Sequence, residues 1–136
     1  MTLLYFSSVP WDSYFQRPHY FVHHFLRQRG RAVVWIDPYP TRLPTFRDLG
    51  RLRTARLATP RPPNLEVIQP RALPFEPWPG GRWLNRQLFH NGLMKRLRAG
   101  DGVGQLGIAV GRPSALALAA LDALPHAWSV YDAMDD

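Results

Sequence analysis

Short apolar runs without polar alternation recur along this chain, and helical stretches separate them. The five runs are Leu3–Ser8, Ala32–Asp37, Leu65–Pro70, Gly104–Val110 and Ala127–Asp132. Strands in which successive side chains are apolar on both faces are typical of parallel sheets covered by helices on both sides. The pattern therefore predicts an α/β fold, a Rossmann-like parallel sheet of about five strands with helices on both faces.

Three helical stretches lie between these runs. In QRPHYFVHHFLRQRG, apolar residues recur at helical spacing, Pro18 suits the first turn and Gly30 suits the position beyond the last one. A second, long helix is predicted over 82–99, and a third begins at Pro113. The residues predicted to lie on or near one face of the long helix are Leu84, Leu88, Leu93 and Leu97. Right-handed crossovers favour the strand order 3-2-1-4-5, in which ligands bind at the carboxyl ends of the strands.

Length and composition exclude several classes of protein. The 136 residues indicate one domain, and the absence of cysteine removes thiolate nucleophiles, thiolate metal sites and disulfides. The opening MTLLYFSSVPW lacks the basic segment and long apolar core of a secretory signal. No run of about 18 apolar residues is present, so no membrane span is predicted. These features favour a cytoplasmic protein.

The net charge of +7 comes almost wholly from arginine, since Lys95 is the only lysine. Such a charge favours anionic partners, among them phosphates, acidic lipids and nucleic acid. The arginines are spread through the chain, however, and no helix-turn-helix or RNP-type motif is present. Nucleic acid is therefore not expected as a partner.

The sequence predicts neither a dinucleotide cofactor nor a metal. The loop after the first run, SSVPWDSYFQRP, contains no glycine, whereas a dinucleotide turn needs glycines for backbone approach to pyrophosphate. The cluster GDGVG at 100–104 precedes a strand and is interpreted as a helix-ending turn. His19 and His23 are four residues apart, but no glutamate joins them as in a zinc motif. They are interpreted as surface or packing histidines.

The loop and helix start at WDSYFQRPH hold the first candidate binding residues. Aromatic side chains there, including Trp11, can stack on a sugar ring. Gln16 and Arg17 at a helix N-terminus suit an anionic or hydroxyl-rich ligand, and His19 adds a polar contact. The alternative, about equally favoured by the pattern, is that the aromatics are core residues and that Arg17 pairs with a nearby acid.

Three acids, Asp132, Asp135 and Asp136, crowd the end of the fifth run. An acid at the carboxyl end of a parallel strand lies on the edge of the sheet where ligands bind, beside the loop after the first strand. This placement favours a functional site over a solvated tail. We therefore expect the whole protein to continue past Asp136.

The segment TFRDLGRLRTARLA, residues 45–58, is basic and amphipathic. The segment contains four arginines and one acid, Asp48; the arginines are Arg47, Arg51, Arg53 and Arg56. Such a segment can lie on an anionic membrane surface. A loop or short helix with a solvated arginine face is the alternative.

Two motifs together suggest a family. WDSYFQRPHYFVHHFLRQRGRAVVWID resembles the W-x4-Q-R-P opening of a group of bacterial glycosyltransferases of the GT-B fold, and SVYDAMDD resembles the Y-D-x-x-D-D that follows the fifth strand in that group. The resemblance extends loosely over the whole chain, although residues 42–82 match no pattern of the group.

The resemblance implies that residues 1–136 are the N-terminal, acceptor-binding domain of a two-domain glycosyltransferase. Such an enzyme moves a sugar from a nucleotide-sugar to a glycan or lipid-linked acceptor in polysaccharide or cell-envelope synthesis, generally without a metal. The nucleotide-sugar would be held mainly by a second domain, so this chain alone is expected to be inactive. In an inverting enzyme, Asp135 and Asp136 would supply the catalytic base and Asp132 would orient them; a retaining enzyme needs a different arrangement, and the sequence does not choose between the two. Trp11, Gln16, Arg17 and His19 would lie on the acceptor side. A stand-alone Rossmann-like module that binds a phosphorylated metabolite is the alternative.

Overall fold

The fold is a five-stranded, all-parallel sheet with helices packed against it. A computed structural model of the chain describes residues 1–39, 60–71, 78, 80–100 and 105–133. The strands are β1 (Thr2–Phe6), β2 (Ala32–Ile36), β3 (Leu65–Ile68), β4 (Leu106–Val110) and β5 (Trp128–Tyr131). Their order across the sheet is β3-β2-β1-β4-β5. The predicted fold class and strand order are both confirmed.

The central strand β1 pairs with β2 on one side and with β4 on the other. In this register Tyr5 lies between Trp35 and Ala109. All five residues of β4 are buried, which explains why its sequence shows no polar alternation. Because the strands are parallel, the residues directly after β1, β2, β4 and β5 lie at one edge, which we call the carboxyl edge.

Two helices begin and end within a few residues of the positions that their sequences predict. Helix α1 spans Arg17–Leu26, with Pro18 in its first turn, and Gly30 beyond its end takes a φ of 71°. Glycine is favoured there because a Cβ is strained in the left-handed region. The last helix begins one residue after Ser114, whose hydroxyl accepts a hydrogen bond from the Ala117 N–H at 3.1 Å. Pro113 therefore precedes the cap instead of opening the helix.

The long helix differs from its predicted pattern. It consists of α2 (Gly81–Asn85), a π-helical segment (Arg86–His90) and α3 (Asn91–Gly100). A π turn holds about 4.4 residues, so residues five apart share a face where an α-helix would set them well apart. Asn85, His90 and Met94 consequently face the interior, while Leu84 and Leu88 are exposed. The prediction that Leu84 and Leu88 share the packed face of Leu93 and Leu97 is wrong, because the five-residue step from Leu88 to Leu93 places two side chains on different faces of an α-helix.

The sheet separates two apolar cores. The long helix and α4 (Ala115–Ala123) pack with Leu4, Phe6 and Ile108 on one face. Helix α1 covers the other face through Val22 and Phe25, against a layer formed by Leu3, Tyr5, Trp11, Val33, Trp35 and Ala109. Both faces of the sheet are therefore covered, as the apolar runs predict.

Gly107 in β4 is packed flat against the indole ring of Trp128 in the neighbouring strand. A Cβ at residue 107 would overlap the six-membered ring of that side chain. We expect Gly107→Ala to lower the free energy of unfolding by about 2 kcal/mol, because overpacking forces side-chain and backbone shifts. Urea denaturation followed by circular dichroism measures the change.

Gly92→Ala is the matched control, because a Cβ there has no neighbour within 4 Å. This substitution lies within a helix and should raise stability by about 0.5 kcal/mol. The ring of Trp128 is tested by repeating Gly107→Ala in a Trp128→Leu background. An undiminished loss in that background would contradict the packing explanation.

Several predictions fall outside the described residues. These are the membrane-contact arginines Arg47, Arg51, Arg53 and Arg56, the GDGVG turn beyond Gly100, and the acids Asp135 and Asp136. Within the part of the chain that the structure describes, no helix is long and apolar enough to cross a membrane.

Candidate functional site at the carboxyl edge

An ion pair at the carboxyl edge joins two residues that are far apart in the sequence. Arg17, the first residue of α1, donates from Nη2 to Oδ1 of Asp132 at 2.7 Å, and Asp132 directly follows β5. The backbone N–H of Asp132 extends the strand ladder by bonding to the Val110 carbonyl at 2.9 Å. This second bond fixes the backbone of the residue that carries the carboxylate.

The other oxygen of Asp132 is also occupied. The hydroxyl of Tyr5 donates to Oδ2 at 2.7 Å, from a side chain that is completely buried and stacked on Trp35 at a ring separation of 5.1 Å. Burial, together with the hydrogen bond to and the negative charge of Asp132, raises the pKa of Tyr5. The phenol therefore stays protonated and remains a donor.

Tyr5, Asp132 and Arg17 form a chain from the core to solvent, which we call the Arg17–Asp132–Tyr5 network. The side chain of Asp132 is only 13% exposed, whereas that of Arg17 is 67% exposed. Because both carboxylate oxygens accept a short hydrogen bond, Asp132 is suited to orient neighbouring groups, not to accept a substrate proton. The exposed face of the Arg17 guanidinium has further N–H donors for an anionic or hydroxyl-rich ligand.

Buried polar contacts fix the start of α1 and hence the position of Arg17. The backbone N–H of Gln16 donates to Nδ1 of His19 at 3.2 Å. Since Nδ1 is an acceptor in this bond, the ring proton lies on Nε2, which donates to the Trp11 carbonyl at 3.0 Å. His19 thus joins the helix start to the loop after β1.

His19 is held neutral. Its side chain is completely buried, and this desolvation is the main cause that lowers its pKa, with the neighbouring His23 contributing in the same direction. Both ring nitrogens are used by the backbone, which leaves neither for a ligand. Among the described residues, no group of three or more histidines and acids is placed to hold a metal ion.

The lowered pKa of His19 predicts a pH dependence of stability. A group whose pKa is lowered on folding binds fewer protons in the folded state, so its contribution is lost as the pH falls. We expect the free energy of unfolding to decrease as the pH falls below about 6.5, the ordinary pKa of histidine. Urea midpoints at a series of pH values measure this.

His19→Gln should flatten that dependence, because glutamine does not titrate. His24→Gln is the matched control, since His24 lies on the exposed side of the same helix and its loss should leave the slope unchanged. An unaltered slope in His19→Gln would contradict the role of this imidazole.

A second carboxylate, Asp37, organises the interior of the same edge. Its Oδ1 accepts hydrogen bonds from the Trp11 backbone N–H and from the indole Nε1–H of Trp35, each at 2.8 Å. Asp37 follows β2 just as Asp132 follows β5, and it is almost fully buried. Sequence reasoning did not single out Asp37 or Tyr5, although an acid directly after a parallel strand was a signal for Asp37.

The predicted acceptor-binding residues divide into two layers. Trp11 and His19 are completely buried, so they support the edge from below. Arg17 lies at the surface, where it pairs with an acid as one of the two sequence interpretations proposed. Tyr14, Phe15 and Tyr20 are exposed around it, and the rings of Phe15 and Tyr20 meet edge to face at 4.7 Å. The open surface beside Arg17 is therefore aromatic.

One small cavity lies near the strand switch point, among the described residues Ser7, Asp37, Tyr39, Arg112 and Ser114, with a volume of about 20 Å³. This is room for about one water molecule and not for a sugar.

The fold and the carboxyl edge together define a class of protein. It is a Rossmann-like α/β domain whose carboxyl edge carries an arginine, a carboxylate with both oxygens hydrogen-bonded, and exposed aromatic rings. No known protein family, curated protein or solved structure matches this chain.

Proposed function

We propose that this chain is the N-terminal, acceptor-binding domain of a GT-B-type glycosyltransferase. The observation that supports the proposal is the 2.7 Å ion pair between Arg17 and Asp132. Arg17 belongs to the Q-R-P motif and Asp132 to the Y-D-x-x-D-D motif, and the two are 115 positions apart in the sequence. Motifs that serve one site should converge in space, and these two do so at the ligand-binding edge of the fold.

In the proposed reaction, the acceptor hydroxyl attacks the anomeric carbon of a nucleotide-sugar. A carboxylate, Asp135 or Asp136, takes the hydroxyl proton as the new glycosidic bond forms. The bond from the anomeric carbon to the phosphate oxygen breaks, and the nucleoside diphosphate leaves with its electron pair. Asp132, held by Arg17 and Tyr5, orients the acids that follow it.

The remaining features of the edge suit an acceptor that carries hydroxyls or phosphate. The exposed Arg17 guanidinium supplies charge and directional donors, and the nearby rings of Phe15 and Tyr20 supply surfaces for a sugar face. The proposed acceptor is a glycan or lipid-linked glycan of polysaccharide or cell-envelope synthesis. The proposed location is the cytoplasm, peripheral at the inner face of the plasma membrane.

The test uses the complete reading frame that encodes this chain, purified and supplied with nucleotide-sugars and glycan acceptors. Released nucleoside diphosphate is measured. We expect transfer with at least one donor, and we expect Arg17→Gln to lower kcat/KM by about tenfold or more because a charge-assisted contact is lost. Arg17→Lys should retain part of the activity.

The outcomes separate the proposal from its alternative. Tight binding of a sugar phosphate by the chain alone, without transfer by the complete protein, would favour the metabolite-binding module. Sugar transfer that is unaffected by Arg17→Gln would contradict the proposal that the carboxyl edge binds the acceptor.

A further inference from the structure

Apolar side chains are exposed on the outer side of the long helix, on the opposite face of the sheet from α1. Trp83 is 64% exposed, Leu84 37% and Leu88 57%; we call these three residues the apolar strip. Trp78, whose carbonyl accepts the Gly81 N–H at the start of the helix, is exposed as well. Single exposed apolar residues are ordinary, but a group that includes tryptophan on two adjacent turns indicates an interaction surface.

The apolar strip lies at the π-helical segment and just before it. The five-residue step from Asn85 to His90 turns both polar side chains into the interior, where each is at most 2% exposed. The same turns direct Trp83 and Leu88 outwards. Burying an amide and an imidazole while exposing an indole and a leucine is the reverse of the usual distribution.

The helix that carries the apolar strip is strongly basic. Residues 81–100 contain five cations and no acid: Arg82, Arg86, Lys95, Arg96 and Arg98. Only one of them has an acidic partner in the described part of the chain, the pair between Arg96 and Glu66. The helix as a whole therefore presents apolar side chains and positive charge together.

A cleft beside the helix gathers three of these cations. It has a volume of about 460 Å³ and lies between the long helix and α4. Arg86, Lys95 and Arg98 line it, against one acid, Asp122. The excess of positive charge suits the phosphate of a lipid headgroup.

We propose that the long helix lies on the surface of an anionic bilayer. Trp83, Leu84 and Leu88 enter the interfacial region, and the neighbouring cations contact the headgroups. Tryptophan favours that region because its ring is apolar and its N–H is polar. Apolar burial and attraction to anionic lipid add together in such helices. The proposal does not depend on the transferase function, and its residues differ from the predicted contact residues Arg47, Arg51, Arg53 and Arg56.

The test is co-sedimentation of the chain with phospholipid vesicles. We expect binding to vesicles of phosphatidylglycerol and phosphatidylcholine in equal parts, and little binding to pure phosphatidylcholine. Trp83→Ser combined with Leu88→Ser should weaken the binding by about tenfold or more, because apolar burial is lost. Arg86→Gln combined with Lys95→Gln should weaken binding to the anionic vesicles and reduce its salt dependence.

Phe21→Ser is the matched control, since it removes an exposed aromatic ring from α1, on the opposite face of the sheet, and should leave the vesicle binding unchanged. Circular dichroism checks that each variant is folded. Binding that is absent, equal for both vesicle types, or unaffected by the strip variant would overturn the proposal. Self-association without vesicles that the strip variant abolishes would also overturn it, since the surface would then join copies of this chain.

Discussion

In the proposed glycosyltransferase, replacing Asp135 or Asp136 by asparagine is expected to lower turnover by about two to four orders of magnitude, the range that general base catalysis contributes. An amide cannot take the acceptor proton, although it fills nearly the same space. Both residues follow Asp132 within four positions, and Asp132 itself is committed to Arg17 and Tyr5. The rate of nucleoside diphosphate release measures the effect, and thermal unfolding shows whether the fold is intact.

Asp122→Asn is the control for this experiment. Asp122 lies late in α4, which runs back from the carboxyl edge, and its side chain is exposed, so the substitution should leave turnover unchanged. Near-normal turnover in both Asp135→Asn and Asp136→Asn would remove the base assignment. It would leave the bilayer proposal untouched, because vesicle binding involves neither residue.

Asp37→Ala is expected to lower the free energy of unfolding by about 4 kcal/mol, the largest loss of stability predicted for this chain. The substitution leaves two buried donors without an acceptor, the Trp11 backbone N–H and the Trp35 indole N–H. Each buried unsatisfied donor costs about 1–3 kcal/mol. Urea denaturation measures the loss.

Two variants separate the hydrogen bonds from the charge. Asp37→Asn keeps an acceptor oxygen and should recover more than half of the loss. Asp12→Ala removes an acid whose ion pair, with Arg61 at 3.6 Å, lies near the surface, and should cost less than about 1 kcal/mol. Equal losses in Asp37→Asn and Asp37→Ala would show that the charge, not the two hydrogen bonds, stabilises this corner.

Most of the sheet could be predicted from local sequence because each strand forms a recognisable apolar run. Apolar runs such as that of β4 have no polar alternation, and a strand of that kind is stable only in the middle of a parallel sheet. Handedness then limits the strand order to few choices. The long helix was harder to predict. Its leucines at 84, 88, 93 and 97 include a five-residue step that an α-helix does not place on one face, and the π-helical segment lies at that step.

The candidate site could be predicted only in part, for a related reason. Arg17 and Asp132 are polar residues at the start of a helix and the end of a strand, where function is expected. Tyr5 lies inside an apolar strand, where its sequence context is that of any other core residue. Only the structure shows that its hydroxyl donates a hydrogen bond to Asp132. For Trp11 and His19 the sequence allowed both ligand binding and core packing, and the structure buries both side chains completely.

The sequence by itself determined the parallel sheet, the order of its strands and the edge to which the strand-end acids belong, because periodicity and handedness act locally along the chain. Only the tertiary structure decided which polar groups meet. The bond between Tyr5 and Asp132 joins residues 127 positions apart, and the burial of both Asn85 and His90 follows from the five-residue step of a single π turn. Contacts of this kind depend on side-chain packing across strands and on helix phase, which no short stretch of sequence contains.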